Sequence, residues 1–213
     1  MSTFDLEEQE QLAELKAWWR QYSGLVTVIV AVAVIAMTVW TAWGWYQREQ
    51  SLQASNLYER LQKAARANDA KSVQELSGSI LEGYSRTAYA PMAALLAAKV
   101  KFQSGDIRTA KAQLQWAMEH ARSQEIKEIS RLRLSVMLID EGLLEDASKL
   151  LEAKPAEGFA GLFGAVRGDL LVVQKKPVQA RAAYKAALES SGRLDPAMRE
   201  LLQLKIDSLG DSS

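Results

Sequence analysis

The chain has 213 residues, with 26 basic against 26 acidic, one histidine and no cysteine. Disulfides and thiolate metal sites are thereby excluded, and the even charge offers no basic stripe of the kind nucleic acid requires, so no nucleic-acid partner is expected. An apolar share of 48% with only four prolines is not that of a disordered chain.

Residues 1–23 carry Asp5, Glu7, Glu8, Glu10 and Glu14 against Lys16 and Arg20, so this tail is net −3. Between Arg20 and Arg48 lie 27 residues without a charge. A bilayer core about 30 Å thick needs roughly 20 apolar helical residues, and the spacing predicts one transmembrane helix over 24–46. The segment is rich in β-branched residues, but no soluble strand runs this long, and in lipid only an internally hydrogen-bonded helix is viable. Trp18, Trp19 and Tyr22 stand before it, and Trp40, Trp43, Trp45 and Tyr46 gather at its other end. Such aromatics act as membrane-interface anchors. A buried core helix passes the same length test. A cleavable signal peptide would need a basic start and a shorter apolar stretch, so the helix is expected to remain in the mature protein. Charge leaves orientation open: Lys16 and Arg20 flank one end, Arg48, Arg60, Lys63 and Arg66 the other. The positive-inside rule therefore does not decide; read literally, it leans slightly towards placing the larger part of the chain in the cytosol.

From residue 47 to 213 the pattern is amphipathic helix throughout, broken at Asn68-Asp69, Gly83, Gly105-Asp106, Gly142, Lys154-Pro155, Lys176-Pro177 and Asp195-Pro196. Pro177 and Pro196 suit first helical turns, and Thr87 and Asp195 suit N-caps. Turns aligned at Asn68, Gly105, Gly142 and Lys175 are separated by 37, 37 and 33 residues. Five places after each turn stand Val73, Ala110, Ala147 and Ala180, and four further on Ser77, Leu114, Leu151 and Tyr184. Seven places before stand Leu61, Ala98, Ser135 and Gly168. Small residues where two antiparallel helices approach, with a larger one beside them, are the tetratricopeptide arrangement. The fold class is therefore all-α: a single N-terminal membrane helix, then a tetratricopeptide-like solenoid closed by a capping helix over 196–209.

No set of side chains assembles into a catalytic, cofactor or metal site. His120 stands beside Glu119 near a helix end without companions and reads as a solvated residue. Gly158, Gly161, Gly164 and Gly168 follow neither dinucleotide nor P-loop spacing and line one helical face, where they permit close packing. Glu145 and Asp146 open a helix and complement its dipole. No enzyme and no cofactor is expected.

In a tetratricopeptide stack the first helix of each pair lines the concave side. In register these positions are Met92, Leu95, Lys99 and Phe102, then Ile129, Leu132, Val136 and Ile139, while Leu134 and Leu138 supply the inter-helix core. Helices apolar on two sides are either enclosed or bind something. Met92, Leu95, Lys99, Phe102, Leu132 and Val136 are accordingly the candidate partner-binding residues, unless so short a stack closes over them. The alternating Lys and Asn that clamp a peptide carboxylate are missing, since Lys99, Val136 and Asp169 occupy those places.

The acidic tail and membrane helix, Leu132-Arg-Leu-Ser135, Glu157-Gly-Phe-Ala160, Arg167-Gly-Asp-Leu-Leu171, Gln179-Ala-Arg-Ala-Ala-Tyr184 and Leu204-Lys-Ile-Asp-Ser-Leu209 together resemble the YfgM-like family, ancillary subunits of the bacterial SecYEG translocon. The combination and its order carry the resemblance, most strongly over 126–209. It implies an inner-membrane protein with a cytoplasmic tail and periplasmic repeats. The implied partners are the SecYEG translocon, a membrane-anchored periplasmic prolyl-isomerase-like chaperone and unfolded secretory polypeptides, with no catalytic residues. The other reading is a membrane-anchored adaptor whose repeats face the cytosol and assemble a secretion or envelope complex.

Overall fold

The computed structural model describes residues 4–190 and 194–210, and contains helices and no strand among them. The helices are α1 Phe4–Arg66, α2 Ala70–Gly83, α3 Tyr89–Gln103, α4 Ile107–His120, α5 Gln124–Asp140, α6 Leu144–Glu152, α7 Ala160–Val173, α8 Pro177–Glu189 and α9 Pro196–Ser208, with a short 3-10 turn at Glu157–Phe159. The chain divides into two compact units, Met1–Glu49 and Gln50–Ser213.

In the first unit α1 is long and apolar enough to cross a membrane, and none of its most apolar stretch is buried by protein. A core helix would be covered, so that alternative fails. The hydroxyls of Thr27, Thr38 and Thr41 donate to the carbonyls of Ser23, Val34 and Met37, four residues back, at 2.7–3.0 Å. The helix thus satisfies these polar groups without water, as hydrocarbon surroundings demand.

The second unit is built from four helical hairpins: the end of α1 with α2, α3 with α4, α5 with α6, and α7 with α8. Asn68, Gly105, Gly142 and Lys175, the four aligned turn residues, all have left-handed backbone, with φ of 54°, 80°, 77° and 59°. Each reversal makes the same pair of bonds. The turn residue's N–H reaches the carbonyl three residues back, and the next N–H reaches the carbonyl five back, as Leu143 does to Leu138 at 2.8 Å. This is the Schellman termination. Its final residue is also the N-cap of the second helix. Asp69 and Asp106 accept from the N–H groups of Ser72 and Thr109 at 3.0 and 3.1 Å. The hydroxyls and N–H groups of those two residues hold both carboxyls below the usual range.

All twelve register residues are buried. The last hairpin shows the tightest approach. A Cβ on Gly168 would lie 2.2 Å from the Tyr184 ring, one on Gly164 2.9 Å from Ala187, and one on Gly161 2.8 Å from Ser190. Three of the four glycines read as a packing face therefore serve as one. Gly158 does not: it lies in the 3-10 turn before α7 and meets nothing within 4 Å.

Two helix boundaries differ from the sequence pattern. Thr87 is not an N-cap: α3 begins at Tyr89 after Ala88, and the Thr87 hydroxyl donates back to the Tyr84 carbonyl at 2.8 Å. A break at Ala121–Ser123 also separates α4 from α5, where no glycine or proline marks it and Ser123 caps Ile126 N–H.

Among the described residues one charged side chain is fully buried. Glu128 on α5, 2% exposed, pairs with Arg131 at 2.9 Å and accepts from the Ala156 N–H at 3.2 Å. Arg131 in turn donates to the Ala153 carbonyl and covers the Phe163 ring at 4.4 Å. The pair fastens the α6–α7 connection to α5. Removing one member of such a pair strands the other charge.

These contacts set three expectations for the detergent-solubilised chain, read by denaturant titration and melting. Gly168→Ala destabilises by about 2 kcal/mol, the scale of overpacking, whereas Gly78→Ala, whose methyl meets nothing, stabilises by about 0.5 kcal/mol. Glu128→Leu costs about 3 kcal/mol. Because the Asp69 and Asp106 pKa values are depressed, their contribution is present above the unfolded-state value near about 4 and is lost as pH falls through the folded one. The melting temperature therefore drops on acidification from pH 5 to 3, and Asp69→Asn with Asp106→Asn flattens that drop.

Candidate functional site

The three groove positions of each hairpin lie six, three and two residues before its turn. In chain order they are Gln62, Ala65 and Arg66; Lys99, Phe102 and Gln103; Val136, Ile139 and Asp140; Asp169, Val172 and Val173. Every one lines a cleft on the same side of the stack. Three clefts follow one another. The first lies between the end of α1 and α3, about 350 Å³. The second lies between α3 and α5, about 380 Å³, and the third among α5, α7 and α9, about 350 Å³. Lys99 is shared by the first and second, Val136 by the second and third.

Of the six residues singled out from sequence, four come together in the central cleft: Lys99, Phe102, Leu132 and Val136. Phe102 is 47% and Val136 39% exposed, so the stack does not close over them. Leu132 is half-buried, presenting one side to the cleft while packing against the core around Leu134 and Leu138. Met92 and Leu95 are half-buried and line none of the three clefts. Leu95 packs instead against the same core. Ile139, on the other side of Val136, is covered to 8% exposure and forms the floor of the third cleft.

Of the third cleft's groove positions the sequence names Val136, Ile139 and Asp169 but not Asp140, Val172 or Val173. Val172 and Val173 leave its wall open, and its polar end is a joint between three helices. The Tyr184 hydroxyl donates to Asp169 at 2.6 Å, and the Lys205 ammonium reaches the same carboxylate oxygen at 2.5 Å. Burial first, and then Asp169 as acceptor, push the Tyr184 phenol well above its ordinary value. The joint fixes the capping helix α9 to the last hairpin, and Arg167, one residue before Gly168, donates to the Leu151 carbonyl that ends α6. Counting six, three and two back from each turn would have found the open valines.

The His120 ring stacks on Trp116 at 4.3 Å, with Nδ1 2.9 Å from that residue's carbonyl oxygen. Among the described residues no group of His, Cys, Asp and Glu could hold a metal ion.

In the first unit, Trp18, Trp19, Tyr22, Trp43, Trp45 and Tyr46 are all exposed. Trp18 lies against Tyr22 and Trp43 against Tyr46, with ring centroids 5.5 and 6.2 Å apart. At 1.5 Å per residue the two groups stand about 36 Å apart, a separation that suits the two faces of a bilayer core.

The tetratricopeptide repeat-like domain family matches residues 16–211, from the start of the apolar helix to the end of the cap. The chain belongs to that family. Relatives named ancillary SecYEG translocon subunit match it almost end to end. The Haemophilus influenzae protein is 26% identical over 97% of this chain and 99% of its own length. The Neisseria gonorrhoeae protein is 27% identical over 96% and 98%, and the Escherichia coli protein 25% over 95% and 96%. The family resemblance drawn from the ordered segments is thus borne out. No solved structure matches the chain.

The exposure pattern separates groove from core by substitution. Val136→Asp changes stability by less than about 1 kcal/mol, since its carboxylate remains in water, whereas Leu134→Asp strands a buried charge and abolishes cooperative melting.

Proposed function

We propose that this is a non-enzymatic, inner-membrane-anchored repeat protein that associates with the SecYEG translocon and helps hand over translocated polypeptides at the periplasmic face. The observation that carries this reading is the match over nearly the full length to relatives named as ancillary translocon subunits, covering apolar helix, repeats and cap alike. In this reading residues 1–23 form a cytoplasmic tail, 24–46 the membrane helix and 47–213 the periplasmic domain. Trp18, Trp19, Tyr22, Trp43, Trp45 and Tyr46 anchor the helix at the two interfaces. The central cleft holds apolar segments of a partner against Phe102, Leu132 and Val136, and Lys99 edges it. The partners are the translocon itself, a membrane-anchored periplasmic prolyl-isomerase-like chaperone, and unfolded secretory chains. An absence of cysteine suits an oxidising compartment, and long domains cross a membrane largely regardless of their charge.

Protease added to spheroplasts is expected to digest the repeats while sparing a tag placed on the N-terminus. Protection of the repeats instead would reverse the orientation and favour a cytosol-facing adaptor that assembles an envelope complex. Capture with the intact protein in mild detergent is expected to retrieve SecYEG. Retrieval must fall several-fold when the membrane helix is replaced by an unrelated one, if that helix contributes to the association.

A further inference from the structure

The apolar clefts are not electrically even. Arg66, Lys99 and Arg133 edge the first and second clefts, and all three are exposed. No carboxylate lines either cleft. Three lysines outside these two clefts are engaged by carboxylates of neighbouring elements: Lys101 with Asp106 at 3.6 Å, Lys111 with Glu141, and Lys205 with Asp169. The groove trio has neither an ion pair nor a hydrogen bond among the described residues. The third cleft is the opposite case. Asp140 and Asp169 line it, and Lys205 there is already held by Asp169. The groove therefore carries unpaired cations in its first two clefts and one unpaired carboxylate, Asp140 at the end of α5, in the third, with Phe102 and Val136 between.

Resting on the reading of the central cleft as a polypeptide-binding site, we infer that its occupant is an acidic-apolar segment lying in one direction. Its carboxylates meet Arg66, Lys99 and Arg133, and bulky apolar side chains enter the clefts on either side of Val136. Three unpartnered cations around one apolar slot select such a segment over a basic one. Each exposed pair contributes little alone, but three acting on one ligand give about tenfold discrimination, equal to about 1.4 kcal/mol. The same field speeds encounter with acidic chains and fades as salt rises.

The test uses the full-length protein in a non-ionic detergent and short fluorescent peptides carrying a Leu-Phe pair. The pair is preceded by two glutamates, by two lysines or by two serines, and binding is read by anisotropy at low and high salt. The glutamate peptide is expected to bind about tenfold more tightly than the lysine peptide at low salt. Arg66→Glu with Lys99→Glu and Arg133→Glu should invert that order, while Lys185→Glu on exposed α8 should leave it alone. Equal binding of all three peptides, lost in Phe102→Asp with Val136→Asp, would overturn the charge selection and leave the groove standing. Failure of every peptide to bind, or binding that survives Phe102→Asp with Val136→Asp, would overturn the groove reading and this inference together. All five substituted groove residues are exposed, and circular dichroism on each variant confirms that the fold is kept.

Discussion

The repeat domain depends on one local constraint: a residue that accepts left-handed backbone at the end of each hairpin's first helix. Once the chain turns there, two hydrogen bonds fix the departing strand of backbone, and the next residue has no freedom but to cap the second helix. The two helices then face each other at fixed offsets. Seven before, five after and nine after meet in the interior, whereas six, three and two before face the open side. Core and groove are two readings of the same turn. Glycine takes the position without a Cβ penalty at Gly105 and Gly142, while Asn68 and Lys175 adopt it against a preference of about 1 kcal/mol.

This explains how much was legible. The turns could be aligned because their separations repeat, and the twelve interior residues followed from that alignment even in the first hairpin, where Leu61, Val73 and Ser77 look little like the later copies. The membrane helix was legible because a charge-free run of that length has few other homes. The α4–α5 break was not, because Ala121-Arg122-Ser123 interrupts the helix with a serine cap and no breaker. Thr87 misled for the complementary reason: a hydroxyl can bond backwards to a carbonyl as readily as forwards to an N–H. Met92 and Leu95 share the helix and the apolarity of Phe102, and only packing distinguishes the side of α3 that meets α5 from the side left open.

Glu128 shows a different limit. A glutamate flanked by Ile126 and Ile129 has the pattern of a solvated residue, since charged residues are rarely buried unless paired. Its partners are the neighbouring Arg131 and a backbone N–H across the α6–α7 connection, and the second of these is invisible until the hairpins are stacked. The same holds for Asp169, whose two partners come from α8 and α9. Polar residues here act as fasteners at the joints between hairpins, where side chains of small volume leave little else to grip.

From α2 onward each helix touches mainly the helices one or two places along the chain, and among the described residues no extensive pairing joins the start of the stack to its end. Loop-closure entropy is therefore small at every step, and the topology belongs to the fast-folding, local-contact class. A chain delivered N-terminus first can complete each hairpin before the next arrives, with no segment waiting exposed for a distant mate. Each hairpin is thus complete in itself, and α9 closes on a carboxylate that the last hairpin already holds through Tyr184.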